Sequence, residues 1–502
     1  MELKKLIGTT EVLNVVGSVD LTISSLEYDS RNACLNSLFF ALPGVTVDGF
    51  DYIQPAIEKG ATAVVCARIP EDCPSNVCFI QVANVRLTMA QVAAEFYGHP
   101  TTGVPVIGVT GTNGKTSITY LLESILVEAG LKPAVFGTVE YRFDNQRLSA
   151  SHTTPESVDL MRMMADFRAA GADALILEVS SHALEQHRVD GIDFDTAIFT
   201  NLTQDHLDYH VTLDSYFNSK KRLFTELLGD GSAVVNNSDP YGKKLLQENA
   251  AWFSFGWDVD ADIHPDQVDV GRDGIRGEFV CDGEKLSIHS GMIGDFNVSN
   301  LMAAIAAAHK LGIRYDQIER GVAAAQQVPG RVEKVNNPRS ILALVDYAHT
   351  GDALEQVLMT LKKLEHRRLL TVVGCGGDRD PGKRPVMACA AARYSDVAIY
   401  TSDNPRTEDP LKILAQMRQG ALDSDYVEVD RVEAAQGDNG FIVIPERREA
   451  IEFAAKLAQQ GDLLLVAGKG HEDYQILGTE KIHFDDREEL RRVLADGEGK
   501  DV

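Results

Sequence analysis

A chain of 502 residues exceeds what one hydrophobic core serves, and at roughly 150 residues per domain it predicts three domains. Apolar residues at 44% and charged residues at 24% fit a globular protein, and the apolar runs, Leu463 to Ala467 among them, are too short to cross a bilayer. The formal charge of −26, with no basic block to offset it, argues against a nucleic-acid surface, so positive charge is sought locally, where anionic substrates bind.

In chain order, Met1-Glu2-Leu3-Lys4-Lys5-Leu6 lacks a sustained apolar signal segment, and the first region closes in the glycine- and proline-bearing stretch Phe96 to Gly103. An apolar strand over Val104 to Thr110 then runs into Gly111-Thr112-Asn113-Gly114-Lys115-Thr116-Ser117, ahead of a helix over roughly Ser117 to Ala129. Such a turn cradles phosphate: glycines let the backbone close on the oxygens, Lys115 reaches the outer phosphates, the Thr116 hydroxyl coordinates magnesium, and the helix N-terminus adds positive potential. The loop is a variant, with Val109 where the common pattern has glycine and glycines at 108 and 111 instead.

Further strands are expected at Ala174 to Val179, Thr196 to Thr200 and Ser232 to Asn236, a small antiparallel addition over Trp252 to Ser290, and a buried helix over Asn300 to Leu311. A third region begins near Pro329-Gly330-Arg331, with strands expected at Ile341 to Val345, Leu369 to Val373, Asp396 to Tyr400 and Asp462 to Ala467. The alternation predicts an α/β protein of three domains, 1–100, 101–330 and 331–502. The central one is a P-loop ATPase-like, mostly parallel sheet and the last is Rossmann-like, with ligands at the carboxyl ends of strands. Seven cysteines, an odd number without metal-ligand spacing, predict a reducing cytoplasm and mostly core positions.

Polar residues cluster after these strands. Glu178 and His206 are magnesium candidates, provided phosphate fills the rest of the shell, because histidine alone suits zinc better. Gln186 and Arg188 suit a polar anionic substrate, and Asp346 suits a ribose. Arg379, Lys383 and Arg384 form a basic turn for carboxylate or phosphate. Gly468-Lys469-Gly470 lacks the hydroxyl of a second phosphate loop and reads as a loop presenting polar groups to a substrate.

With these motifs in order the chain resembles the Mur ligases, the ATP-dependent amide-forming enzymes of peptidoglycan precursor synthesis. The resemblance rests on Asp29-Ser30-Arg31, the phosphate loop, Thr153-Thr154-Pro155, Glu178-Val179-Ser180-Ser181-His182, Asn201 to His210, Pro329-Gly330-Arg331, Asp346-Tyr347-Ala348-His349 and Asp403-Asn404-Pro405-Arg406. One departure is Gly351, where relatives often have proline.

The resemblance implies that ATP phosphorylates the D-glutamate side-chain carboxylate of UDP-N-acetylmuramoyl-L-alanyl-D-glutamate and that an amine then displaces phosphate. It implies UDP contact at Ser30, helped by the backbone near Thr46 and Val47; muramoyl-dipeptide contact at Thr153, Thr154, Ser180, Gln186 and Arg188; and ATP contact at Asn297, Arg331 and Asp346. It implies catalytic roles for Lys115, Lys220 and His349, with Lys220 carbamylated and joining Thr116, Glu178 and His206 around Mg2+. The arginine of Asp403-Asn404-Pro405-Arg406 implies meso-2,6-diaminopimelate as the added amino acid, with Arg379, Asp403, Asn404, Arg406, Gly468 and Glu472 holding it and Asn404 and Glu472 at its distal ammonium. L-lysine addition and folylpolyglutamate-type ligation are the alternatives. No membrane or nucleic-acid partner is expected, and a monomer suffices.

Overall fold

The computed structural model describes residues 1–44 and 47–495. They fall into two compact units: Met1–His264 with Met302–Gly321, and Pro265–Leu301 with the chain from Val322 onward.

The first unit holds two sheets. The N-terminal sheet has five strands in the order Val12–Val16, Cys78–Val82, Ala61–Cys66, Ser37–Phe40 and Ser25–Glu27, antiparallel at the first pairing and parallel thereafter. Alternation along these strands divides the core: Leu38, Phe40, Ala63 and Val65 pack on one face, Phe39, Val64 and Cys66 on the other. Strands of three to six residues gave too little period-2 signal to be read from sequence.

The second sheet carries the phosphate loop. Its order in this unit is Phe253–Phe255, Ser232–Asn236, Thr196–Phe199, Val106–Thr110, Ala174–Glu178, Pro133–Phe136, Glu140–Phe143 and Gln146–Ser149, with the last two pairings antiparallel. Val106–Thr110, Ala174–Glu178 and Thr196–Phe199 are wholly buried, as parallel strands covered on both faces must be. The chain leaves Val106–Thr110 for one side of the sheet and later adds Thr196–Phe199 on the other. The phosphate loop therefore sits at the topological switch point.

The expected antiparallel addition is partly different. Phe253–Phe255 is fully buried and extends the parallel sheet, while Gly274–Cys281 and Glu284–Ser290 form an antiparallel hairpin as expected.

The second unit is built on a six-stranded sheet in the order Glu333–Val335, Leu342–Asp346, Leu463–Ala467, Leu369–Cys375, Val397–Ser402 and Gly440–Val443, parallel except at the first pairing. Leu342, Leu344, Leu463 and Leu465 pack with helices Gly351–Lys363 and Lys383–Tyr394 on one face. Ala343, Val345, Leu464 and Val466 pack with Arg447–Leu457 and Asp486–Leu494 on the other. This is the doubly wound arrangement expected of a Rossmann-like domain. Gly351 is the first residue of its helix, capped by Thr350, and a Cβ there would meet Val386 at 2.5 Å, which accounts for the small residue.

Four cysteines, Cys66, Cys78, Cys281 and Cys375, are buried. Among the described residues no helix is long and apolar enough to cross a membrane.

Candidate active site

The phosphate loop is pinned from the neighbouring strand end. Gly111 has φ 145° and Gly114 φ 92°, and a Cβ on Gly111 would fall 1.8 Å from Thr200 Oγ1, so only glycine fits there. Thr200 Oγ1 donates to the Asn113 carbonyl at 2.6 Å, and the Asn113 N–H donates to Asn201 Oδ1 at 2.9 Å. Lys115 opens the helix Lys115–Glu128 and folds its Nζ back onto the Gly111 and Thr112 carbonyls at 2.8 and 2.9 Å. Ser117 lies buried in the first turn of this helix.

Glu178, at the end of its strand, is 1% exposed and faces this loop. Its carboxylate accepts from Thr116 Oγ1 at 3.1 Å, from the Thr138 N–H at 3.0 Å and from Thr138 Oγ1 at 2.9 Å. The proximity of a buried carboxylate to the loop hydroxyl fits an oxygen-liganded divalent cation whose remaining ligands come from phosphate. Among the described residues no group of three or more His, Cys, Asp or Glu side chains is arranged to hold a metal by itself. His206 is the other expected ligand. It sits in a left-handed conformation, φ 53°, with its ring 4.9 Å from that of His182.

Lys220, on helix Leu213–Arg222, is buried and donates to the Gly111 carbonyl at 2.9 Å, so the structure brings it to the same loop. Burial holds its pKa well below the ordinary lysine range, Lys115 pushes the same way and Asp205 opposes. Thr112 Oγ1 also lies 3.3 Å from the Tyr216 hydroxyl, tying the helix to the loop.

The residues expected to hold the dipeptide are connected to this centre. Thr153 Oγ1 is 3.1 Å from Thr138 Oγ1, and Thr154 Oγ1 donates to the Glu178 carbonyl at 2.7 Å. The Ser180 N–H donates to Thr154 Oγ1 at 3.1 Å, while its own hydroxyl caps helix Ser181–Glu185. Arg188 donates to the Thr154 carbonyl at 2.9 Å and Gln186 Oε1 at 2.7 Å, and pairs with Glu156 at 3.1 Å. Sequence reasoning missed Gly137, Thr138 and Glu156, which carry no motif of their own. Ser30 is 7% exposed beside the Asp29–Arg31 ion pair and is not part of this network; Thr46 lies outside the described residues.

In the second unit, Asp346 is 5% exposed and accepts from the Val332 and Ala348 N–H groups at 2.8 and 2.7 Å. Burial raises its pKa against the pull of Arg331 and these amides. The Arg331 guanidinium lies 4.9 Å over the Tyr347 ring, which contacts His349 and His471 at 4.7 and 5.2 Å. His349 Nδ1 faces the Tyr347 carbonyl at 3.0 Å, so that nitrogen carries the proton and Nε2 is the basic one. Asn297 donates to the Ile293 carbonyl at 2.8 Å and accepts from Asn300 Nδ2 at 2.8 Å.

At the carboxyl ends of the parallel strands, Asn404 Nδ2 donates to Glu472 Oε2 at 2.9 Å and Arg406 donates to the Gly377 carbonyl at 2.8 Å. Asn404 Oδ1 accepts from Lys469 Nζ at 3.3 Å and the Ile476 N–H at 3.0 Å, which uses both its lone pairs. Asn404 therefore has only donor capacity left to offer a ligand. Asp403 is 7% exposed, and its Oδ2 comes within 3.0 Å of where a Cβ on Gly468 would lie. Arg379 is exposed on the Gly376–Lys383 turn, whereas Arg384 is buried and paired with Glu408 at 2.8 Å.

Three family models match the chain in succession: Mur ligase family, catalytic domain, over residues 22–97; Mur ligase middle domain over 109–308; and Mur ligase, glutamate ligase domain, over 330–470. The chain belongs to the Mur ligase family. This Mur ligase is 49% identical to the UDP-N-acetylmuramoyl-L-alanyl-D-glutamate--2,6-diaminopimelate ligase of Geobacter metallireducens over 496 residues, 96% of this chain and 97% of that protein. It is also 49% identical to the enzyme of that name from Geobacter sulfurreducens, over 97% and 98% of the two chains. A solved structure of a ligase of that name is 33% identical and covers 98% of both chains with a TM-score of 0.71. The Mur ligase has the family's three-domain, mixed α/β architecture and is an ATP-dependent ligase.

Proposed function

We propose that this Mur ligase joins meso-2,6-diaminopimelate to the D-glutamate side-chain carboxylate of UDP-N-acetylmuramoyl-L-alanyl-D-glutamate, acting as a monomer in the cytoplasm during peptidoglycan precursor synthesis. The observation that carries the amino-acid assignment is that Arg406, with its Nη1 3.5 Å from the Asn404 backbone carbonyl, shares one loop with a donor-only Asn404 side chain. A permanently charged planar guanidinium beside an amide N–H selects a carboxylate, which diaminopimelate carries at its distal carbon and lysine lacks. Near-identity of length and 49% identity with two ligases of that name support the same reading.

A carboxylate is a poor electrophile until its oxygen becomes a phosphate leaving group. Residues 111–117 are assigned to the triphosphate, with Lys115 offsetting charge on the transferred phosphoryl group. Thr116, Glu178, His206 and a carbamylated Lys220 are assigned to magnesium, which when bound would neutralise phosphate charge. Asn297, Arg331 and Asp346 are assigned to the rest of ATP. Ser30 is assigned to the UDP moiety, and Thr153, Thr154, Ser180, Gln186 and Arg188 to the muramoyl dipeptide, with Arg188 at its anionic groups. His349, with Nε2 as its basic nitrogen, is assigned to proton transfer from the attacking amine. Arg379 is assigned to the second carboxylate of the amino acid, with Asp403, Gly468 and Glu472 completing its pocket.

Phosphate release from ATP is the test. It should require both the UDP-linked dipeptide and meso-diaminopimelate, and Lys115→Ala should lower it by about 100-fold or more while UDP-dipeptide binding persists. Turnover that ignores either acceptor overturns the reading.

A further inference from the structure

Lys469 has no exposed surface, yet it carries an ammonium group to the carboxyl end of the parallel sheet. Its Nζ lies 3.2 Å from Glu472 Oε2, 3.3 Å from Asn404 Oδ1 and 3.6 Å from Asp403 Oδ1. Taking an ammonium out of water costs several kcal/mol unless its partners are well placed, so these contacts constrain both sides. All three partners belong to the loops assigned above to the amino acid.

The contacts decide the polarity of Asn404. With Lys469 Nζ and the Ile476 N–H on its oxygen and Glu472 on its nitrogen at 2.9 Å, the amide has one satisfied orientation. Turning it over would set NH2 against an ammonium and an N–H, and oxygen against a carboxylate. Removal of the Lys469 charge takes away one of the two donors that hold the amide oxygen, and leaves Glu472 without its cation.

We propose that Lys469 is a positioning residue for amino-acid selection: it holds Asn404 as a donor beside Arg406 and so makes the loop select a distal carboxylate. The inference rests on the reading that the loops at Asp403–Arg406 and Gly468–Glu472 receive the incoming amino acid. It gives the lysine of the Gly468-Lys469-Gly470 turn a role in choosing the acceptor rather than in binding phosphate.

The test compares Lys469→Met and Lys469→Gln with Arg406→Ala in the full-length enzyme, at saturating ATP and UDP-linked dipeptide, with meso-diaminopimelate and L-lysine as separate acceptors. The expected result is a fall in kcat/KM for meso-diaminopimelate of about tenfold or more, carried by KM, with a smaller change for L-lysine and an unchanged KM for ATP. Preference for meso-diaminopimelate over lysine therefore narrows. Equal losses for both acceptors, unchanged discrimination, or failure of both Lys469 variants to fold would overturn the proposal, since each is what a purely structural lysine gives. If Arg406→Ala leaves the KM for meso-diaminopimelate unchanged, the loop reading itself fails. If Arg406→Ala raises that KM and the Lys469 variants do not, only the role of Lys469 fails.

Discussion

Lys220 Nζ donates to the carbonyl oxygen of Gly111 at 2.9 Å, so a buried amine rests against the residue that opens the phosphate loop. Burial and the nearby Lys115 favour its neutral form, which is the form that attacks carbon dioxide. The new N–C bond makes a carbamate and one proton leaves the nitrogen. In bicarbonate-equilibrated solution the intact protein should gain the mass of one carbon dioxide, lost on acidification and absent from Lys220→Ala. Turnover of Lys220→Ala should fall by about 100-fold and recover in part with a short carboxylic acid. An unmodified Lys220 under bicarbonate with full activity would contradict this.

Gly137 constrains the magnesium candidate through space. A Cβ there would lie 2.3 Å from Glu178 Oε1, so Gly137→Ala must push the carboxylate off the Thr138 N–H. The magnesium concentration for half-maximal turnover should rise about tenfold, as for other residues that orient a ligand, with the thermal midpoint little changed. An unchanged magnesium titration would separate Glu178 from the metal.

Arg447 and Asp486 form a fully buried bidentate pair, with Nε to Oδ1 at 2.8 Å and Nη2 to Oδ2 at 2.6 Å. Arg447 also donates to the Ala467 carbonyl at 3.0 Å, fastening the strand that leads into Gly468. Arg447→Met leaves a carboxylate buried alone and should cost about 3–5 kcal/mol in urea unfolding. A loss below about 1 kcal/mol would show that water reaches the site.

His471 is held neutral, its pKa lowered to about 4 by burial and by Arg331 and Arg487. The unfolded chain binds more protons than the folded one between pH 6.5 and 4, so stability falls as pH falls through that window, by roughly 3 kcal/mol at its lower end. His471→Gln should flatten this part of the stability profile. An identical slope in the variant would assign the acid sensitivity elsewhere.

The phosphate loop was legible because its chemistry is local: glycine, lysine and hydroxyl lie within seven consecutive residues, Gly111 to Ser117. The strands flanking it were legible for the same reason, as continuous apolar runs with both faces covered. What escaped depends on distance in sequence. Thr138 reaches Glu178 across 40 residues and Asn404 reaches Glu472 across 68, and neither approach leaves a periodic trace. Lys469 was visible as a glycine-lysine pair, but its burial, and with it the polarity of Asn404, came only from the fold. The sequence of Phe253–Phe255 does not separate it from the antiparallel addition, because a buried strand of three residues looks the same in either direction.

Competition between meso-diaminopimelate and L-lysine for ligation to UDP-N-acetylmuramoyl-L-alanyl-D-glutamate, with ATP, tests the proposed activity most directly. A pocket that leaves Arg406 and Asn404 without an anion when lysine occupies it should favour meso-diaminopimelate by about 10⁴-fold in kcat/KM. Arg406→Ala should remove most of that preference. Preferential incorporation of lysine by the unaltered enzyme, or undiminished preference for meso-diaminopimelate after Arg406→Ala, would contradict it.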